Sequence, residues 1–192
     1  MNNNIVKLTV FLLIVTAVSG MAIGAVNGIT APEIAKQKEA ALQNGYKEVY
    51  AAADEYIARD YSGKEGAISD LIIANQGGKE KGVIYLVQTK GYGGTLEFLV
   101  GFDLTSETIT GIKILTQNET AGLGANCKTP WFAQRFVDKS ADKALQVVKV
   151  ESSAGHEIQA ITAATITSTA VVDGVNAARA DFEANYAGRT GQ

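Results

Sequence analysis

The chain is poor in the side chains that hold metals or act as nucleophiles. Its 192 residues include one cysteine, Cys127, and one histidine, His156. A single thiol cannot form an internal disulfide or a multi-thiolate metal site, and a single imidazole cannot form a multi-histidine centre. No histidine lies near Cys127 in the sequence, so a nucleophilic cysteine is not expected. We therefore predict no metal site and no catalytic residue, and the chain's own side chains supply little chemistry.

An excess of positive charge is also missing. Lysine and arginine total 17, aspartate and glutamate total 20, and the formal net charge is −3. The basic residues are spread along the chain, which argues against nucleic acid as a partner. Hydrophobic residues make up 46% of the chain, so a folded core is expected and a disordered protein is not.

One long segment near the start has no charge at all. Residues 8–26 read LTVFLLIVTAVSGMAIGAV, and roughly 19 helical residues span about 28 Å, close to the thickness of a hydrocarbon core. The apolar core of a cleaved signal peptide is shorter, about 7–15 residues. We therefore predict a retained transmembrane anchor over residues 1–27. Lys7 before the segment and Lys36 and Lys38 after it do not decide its orientation.

The remaining sequence predicts an α+β protein. Residues 28–62 are rich in alanine, lysine and glutamate, which predicts a helical stalk that breaks at Asn44-Gly45 before a second helix. Residues 63–192 then form one domain, in which β-branched and aromatic segments separated by glycine turns predict a mostly antiparallel sheet flanked by helices. The predicted strands cover 69–76, 81–91, 95–104, 107–119, 144–150 and 156–161, and the predicted helices cover 129–139 and 167–186. An apolar stripe on the last helix comprises Ile166, Ala170, Gly174, Ala178 and Phe182.

Two glycine-rich stretches follow predicted strands. The first, NETAGLGANC over residues 118–127, contains Glu119, Thr120, Gly122, Leu123 and Gly124. Its glycines serve either a simple turn or the close approach of a ligand to the backbone. It is neither a phosphate-binding Walker loop nor a dinucleotide fingerprint, because the required lysine and third glycine are absent. The second, TKGYGGTLEF over residues 89–98, is typical of a hairpin turn with an exposed tyrosine.

Hydroxyl side chains crowd the start of the last helix. The stretch AITAATITSTAVVDGV, residues 160–175, contains Thr162, Thr165, Thr167, Ser168 and Thr169. Capping a helix needs only one hydroxyl. A helix N-terminus also binds phosphate through its free N–H groups, and the small residues Ala163 and Ala164 would leave space for a bulky group. Capping and a phosphate-bearing ligand both remain open on this reasoning.

Taken in order, these motifs resemble those of a known family. The anchor followed by NGITAPEIA, the KGYGG turn, NETAGLGAN with WFAQRF after it, and TAATITSTAVVDGV are similar to the G subunit of the ion-translocating ferredoxin:NAD⁺ oxidoreductase complex called Rnf. The family is related to the C subunit of the sodium-pumping NADH:quinone oxidoreductase. The resemblance covers nearly the whole chain.

The resemblance implies a covalently bound flavin. In the family, a flavin transferase joins FMN through its phosphate to the last threonine of a Ser/Thr-Gly-Ala-Thr motif. Here the motif is Thr162-Ala163-Ala164-Thr165, so Thr165 would carry the FMN and Thr162, Ala163, Ala164, Thr167 and Ser168 would surround it. Alanine replaces the family glycine at 163, and Gln159 stands where the family usually has aspartate. The resemblance also implies that Glu119, Thr120 and Leu123 line the flavin in the Gly122–Gly124 loop.

The implied function is electron transfer inside a membrane complex. The chain would be a single-pass protein of the cell membrane, with its soluble domain on the extracytoplasmic side and the other membrane subunits of the Rnf complex as partners. It would act as a redox subunit without complete activity alone. Two alternatives are an anchored extracytoplasmic module that binds flavin noncovalently and an unmodified structural subunit of the complex.

Overall fold

The computed structural model of the chain describes residues 3–61, 66–150 and 154–188. It has the α+β arrangement predicted from the sequence: a long N-terminal helix, a five-stranded sheet, a short helical region and a closing helix. The elements are α1 (Asn3–Val49), β1 (Glu55–Arg59), β2 (Ile68–Gln76), β3 (Lys79–Lys90), β4 (Thr95–Asp103), β5 (Ile109–Thr116), a 3-10 helix (Gly124–Lys128), α2 (Pro130–Ala133), β6 (Gln146–Val148), β7 (Glu157–Gln159) and α3 (Thr165–Asn185). Residues 1–42 form one compact unit and residues 43–192 another.

Helix α1 is continuous for 47 residues. Among the described residues it is the one helix long and apolar enough to cross a membrane, judged by length and composition alone. The predicted break at Asn44-Gly45 is wrong, and Pro32 lies inside the helix. Gly45 serves close packing instead of a turn, because an added Cβ there would lie 2.7 Å from Leu99 Cδ1. The helix ends at Val49, and Glu55–Arg59, expected in the helical stalk, form strand β1.

The large sheet is fully antiparallel in the order β1-β2-β3-β4-β5. β3 and β4 are joined through the KGYGG turn and pair along their length, from Gly82 opposite Asp103 to Lys90 opposite Thr95. The four strands predicted over residues 69–119 are confirmed, with ends shifted by a few residues. β1 was missed because Ala51, Ala52 and Ala53 extend the helical composition up to it, while its pairing with β2 is a tertiary contact.

Helix α3 packs on one face of this sheet. Gly174 permits the close approach, since an added Cβ would lie 2.6 Å from Phe98 Cζ. Phe102 stacks on Phe182 at 4.8 Å between ring centroids. Four of the five residues predicted for the apolar stripe are buried, but the prediction for Ile166 is wrong because it is 57% exposed. Ile166 lies in the first turn of α3, beyond the part of the helix that covers the sheet.

The opposite face of the sheet receives the end of α1. Tyr50 lies over Gly82, where an added Cβ would be 2.3 Å from the tyrosine ring, and Val49 lies over Gly101. The Tyr50 hydroxyl donates to Asp103 Oδ2 at 2.6 Å. Burial, reinforced by this carboxylate, raises the pKa of Tyr50 above its usual value. The missing side chains at the two glycines therefore let the last turn of α1 rest directly on the strands.

The segment between β5 and α3 is less regular than predicted. The helix expected over residues 129–139 is reduced to α2, Pro130–Ala133, which follows the 3-10 helix and continues into turns. Phe132 and Phe136 are both fully buried and stack edge to face at 5.4 Å. The two short strands expected after it are confirmed as β6 and β7, which pair in parallel in a separate two-stranded sheet. The core contacts of the aromatic residues thus hold this segment with little regular helix.

Candidate functional site

The hydroxyl-rich stretch begins α3, yet none of its side chains caps the helix. The N-cap residue is Ala164, no side chain makes a capping hydrogen bond, and the first turn contains no acidic residue. The first backbone N–H groups of a helix have no intrahelical acceptor. Together with the helix dipole, they make the start of α3 favourable for an anion. The structure therefore does not support capping as the reason for the many hydroxyls.

Two of the hydroxyls have structural partners. Ser168 is fully buried; its Oγ accepts from the Ile161 N–H at 2.9 Å and donates to the Ala164 carbonyl at 3.0 Å. Thr167, 1% exposed, donates to Glu119 Oε2 at 2.8 Å. In contrast, Thr162 and Thr165 are exposed. The arrangement separates hydroxyls that hold the turn from those that are available to react or bind.

Ala163 has a backbone φ of 60°. This left-handed conformation is unfavourable for a residue with a Cβ and is normal for glycine. The family motif places glycine at this position, and the structure supplies the reason: the turn before α3 needs a positive φ. Ala163 adopts the same positive φ, and its Cβ makes that backbone conformation strained.

Glu119 connects three separate segments of the chain. Its Oε1 accepts from the N–H of Gly93 at 3.0 Å, in the turn between β3 and β4. Its Oε2 accepts from Thr167 in α3, as described above. Glu119 itself follows β5. One carboxylate therefore joins the hairpin turn, the glycine-rich loop and the start of α3.

Three glycines leave the space that the Glu119 side chain and the backbone of Asn118 occupy. An added Cβ would lie 2.3 Å from Oε1 of Glu119 at Gly91 and 2.4 Å from Oε2 at Gly124. At Gly93 it would lie 2.1 Å from the carbonyl oxygen of Asn118. The glycines of both stretches thus converge on the same carboxylate. The sequence alone does not reveal this convergence, because the contact between the two stretches is made only in the folded domain.

Gly122 has a different role from Gly124. Its φ is 77°, and an added Cβ would meet nothing within 4 Å. Its carbonyl accepts from Asn126 Nδ2 at 3.1 Å. Gly122 therefore serves the turn through its backbone conformation, whereas Gly124 is required for close packing.

A cavity of about 450 Å³ opens beside these residues. This volume is within the range of about 300–1,000 Å³ for small-molecule sites. Its lining consists of Tyr92, Glu119, Thr120, Leu123, Gly124, Ala163, Ala164, Thr165, Ile166 and Thr167. The structure thus brings together eight of the residues singled out in the sequence, while Thr162, Gly122 and Ser168 do not line the cavity.

Two lining residues were not predicted as part of the site. Tyr92 and Ile166 are 74% and 57% exposed, and with Leu123, at 41%, they give the cavity an apolar edge. Exposed apolar residues grouped at a cavity are typical of a binding site for an apolar or aromatic group. The sequence signal for Tyr92 was its place between the glycines of the KGYGG turn, which predicted its exposure but not its neighbours.

Gln159, at the other departure from the family motif, is bound by an arginine. Arg135 donates to the Gln159 carbonyl and, at 2.7 Å, to its side-chain Oε1. The guanidinium also lies 4.5 Å from the ring centroid of Trp131, a cation–π distance. Gln159, three positions before Thr162, therefore accepts both hydrogen bonds from the Arg135 guanidinium. It does so as a neutral side chain, whereas an aspartate would also bring a negative charge.

Cys127 is buried and is not activated. Burial raises the pKa of its thiol to about 11, and the charge of Glu119 acts in the same direction. The thiolate, which is the reactive form, is therefore scarce at neutral pH. Within the part of the chain that the structure describes, no group of three or more His, Cys, Asp or Glu residues could hold a metal ion.

Comparison with known sequences decides the family. A family model of the RnfG N-terminal region matches residues 1–49, and one of the FMN-binding domain matches residues 91–180. Over 177 residues the chain is 40% identical to the G subunit of the proton-translocating ferredoxin:NAD(+) oxidoreductase complex of Clostridium ljungdahlii, covering 92% of this chain and 90% of that protein. The chain belongs to the Rnf G-subunit family. The resemblance found in the sequence is thereby confirmed. The chain is a subunit of an ion-translocating ferredoxin:NAD(+) oxidoreductase complex.

Other relatives agree with this membership. The chain is 36% identical over 183 residues to the G subunit of the Na(+)-translocating ferredoxin:NAD(+) oxidoreductase complex of Acetobacterium woodii, covering 88% of this chain and 87% of the relative. Among solved structures, the C subunit of the Na(+)-translocating NADH-quinone reductase of Parabacteroides distasonis matches with a TM-score of 0.60 and 23% identity, covering 78% of this chain and 93% of that one. The structural match confirms the α+β fold of this G-family chain.

Proposed function

We propose that this chain is the electron-transfer subunit of its complex that carries FMN, joined through the phosphate to Thr165. The observation that supports this most directly is the position of Thr165. Its exposed side chain lines the cavity at the first residue of α3, where no side chain caps the helix. A phosphate ester on this hydroxyl would lie next to the free N–H groups of the helix N-terminus.

The residues around Thr165 fit such a group. Ala163 and Ala164 present only methyl groups beside it, and Leu123 and Ile166 provide apolar surface for an aromatic ring system. Ser168 and Thr167 hold the start of α3 through a buried and a partly buried hydrogen bond, and would remain outside the attachment chemistry. A bound flavin would supply two-electron and one-electron transfer, which the side chains of this domain do not provide.

The proposed topology places this site outside the cytoplasm. Residues 1–27 would be a retained single-pass anchor in the cell membrane, and residues 63–192 the FMN-binding domain. Because β1 is an edge strand of the large sheet and the end of α1 packs on that sheet, the structural unit of that domain includes residues before position 63. The partners would be the other membrane subunits of the Rnf complex and, during maturation, a flavin transferase.

The attachment site can be tested by gel fluorescence and peptide mass mapping. We expect the protein made in its own host to fluoresce on a denaturing gel, and Thr165→Ala to abolish that signal. The fold should persist, because even loss of a capping hydroxyl costs only about 0.5–2 kcal/mol. Thr169→Ala, four residues further along the same helix, is the control and should keep full fluorescence.

The other outcomes identify the alternatives. A flavin that dissociates on denaturation would show noncovalent binding. Native protein without any flavin would show an unmodified structural subunit. FMN mapped to Thr162, Thr167 or Thr169 would show that the motif register is wrong.

A further inference from the structure

Glu119 is the one charged residue among the described residues that line the cavity of about 450 Å³ beside the start of α3, the α3 cavity. The other lining side chains are apolar, hydroxyl-bearing or absent, so no basic group in the cavity wall neutralises it. Both of its oxygens act as hydrogen-bond acceptors, as the oxygens of an ionised carboxylate do. The electrostatic character of the cavity wall therefore depends on a single side chain.

This carboxylate has little freedom to move. One oxygen is held by a backbone N–H in the β3–β4 turn and the other by the hydroxyl of Thr167. Gly91 and Gly124 approach so closely that a methyl group at either position would collide with an oxygen of Glu119. Its charge also acts on a neighbouring group, because it contributes to the raised pKa of Cys127. These contacts hold the carboxylate at one place in the cavity wall.

We propose that Glu119 is a fixed negative charge that lowers the reduction potential of the flavin held in the α3 cavity. The proposal rests on the proposed function, because it requires a flavin at this site. Glu119 would then have two roles. It connects three segments of the chain, and it makes the flavin harder to reduce.

The direction follows from Coulomb's law. Reduction adds electrons to the flavin ring system, and a carboxylate at the cavity wall repels added negative charge. The repulsion is stronger beside a partly buried group than in bulk water, because the effective dielectric constant is lower. The helix N-terminus has the opposite effect, but it is the same in the wild type and in a Glu119 variant, so it does not change the difference between them. Removing the charge of Glu119 should therefore make the flavin easier to reduce.

The test compares midpoint potentials of the full-length, flavin-loaded chain in detergent by spectroelectrochemical titration. Glu119→Gln keeps the shape of the side chain, and its amide can still accept from Gly93 and donate to Thr167. We expect the equilibrium constant for two-electron reduction to rise roughly tenfold, which is a shift of about 30 mV upward. Asp173→Asn is the matched control: it removes the same charge from an exposed position of α3 outside the cavity lining and should leave the potential unchanged.

Several results would overturn the proposal. An unchanged potential in Glu119→Gln, or an equal shift in Asp173→Asn, would show that the carboxylate has no specific effect. A Glu119→Gln protein that folds but carries no flavin would assign the residue to cofactor retention instead. Wild-type protein without flavin would contradict the proposed function itself, and the inference with it.

A second pair of variants decides the matter if Glu119→Gln does not fold. Thr120 lines the cavity with an exposed side chain, and only its carbonyl oxygen takes part in the loop hydrogen bonds from Leu123 and Ala125. Thr120→Asp and Thr120→Asn have the same shape and differ in charge. We expect the aspartate variant to have the lower potential, and equal potentials would show that charge at this wall does not influence the flavin.

Discussion

At the scale of single residues, the turn before α3 contains a strained alanine that can be relieved. Ala163 is exposed and has a φ of 60°, a conformation that costs a residue with a Cβ about 1–2 kcal/mol. Glycine removes that cost but loses more entropy on folding, about 0.4–1 kcal/mol. We expect Ala163→Gly to raise the free energy of unfolding by about 0.5–1 kcal/mol, measured as an increase of about 1–4 °C in the melting temperature.

Ala164 provides the comparison within the same motif. Its φ is −135° and its side chain is buried, so Ala164→Gly relieves no strain and loses packing as well as entropy. The melting temperature of this variant should fall. If both glycine variants were destabilised equally, residue 163 would not adopt the left-handed conformation in solution.

At the scale of elements, the glycine-rich loop between β5 and the 3-10 helix depends on two glycines for different reasons. Gly124→Ala places a methyl group 2.4 Å from Glu119 Oε2 and 2.6 Å from Thr167 Oγ1, so it should separate the hydrogen-bonded pair. Gly122→Ala adds only backbone strain. We expect both to lower stability, by about 1–3 kcal/mol for overpacking and about 1–2 kcal/mol for the strained φ.

The absorption spectrum of the bound flavin should distinguish the two variants. Gly124→Ala displaces a residue of the cavity wall, so the spectrum should shift, whereas Gly122→Ala should leave it unchanged. Identical spectra in both variants would mean that the contact between Glu119 and Thr167 does not shape the flavin environment.

Elements defined by local sequence were the ones that the sequence predicted well. Strands β2 to β5 have β-branched runs bounded by glycine turns, and α3 has a four-residue apolar period. The break expected at Asn44-Gly45 did not occur because Gly45 packs against Leu99, a contact distant in sequence. The same limit applies to the site: its residue types were visible in the sequence, but the convergence of the KGYGG turn on Glu119 was not. That convergence depends on the pairing of β4 with β5, which places the end of β5 beside the turn before β4.

At the scale of the whole molecule, the chain is suited to a labelling test of its proposed topology. Its only cysteine, Cys127, is fully buried, with a thiol pKa raised to about 11, so the native protein should react poorly with maleimides. Maleimide labelling would then come from a cysteine introduced at an exposed position and not from Cys127. Ala184, exposed near the end of α3, and Asn4, exposed near the N-terminus, lie on opposite sides of the apolar segment 8–26 in the sequence.

We expect Ala184→Cys to react with a membrane-impermeant maleimide in intact cells, because the flavin domain is proposed to lie outside the cytoplasm. Asn4→Cys should react only after lysis, and wild-type protein should remain unlabelled in both conditions. The reverse pattern would place the domain in the cytoplasm. Labelling of both cysteines in intact cells would contradict a membrane-spanning anchor between them, and labelled Ala184→Cys protein lacking residues 1–27 would show that the apolar segment is cleaved as a signal peptide.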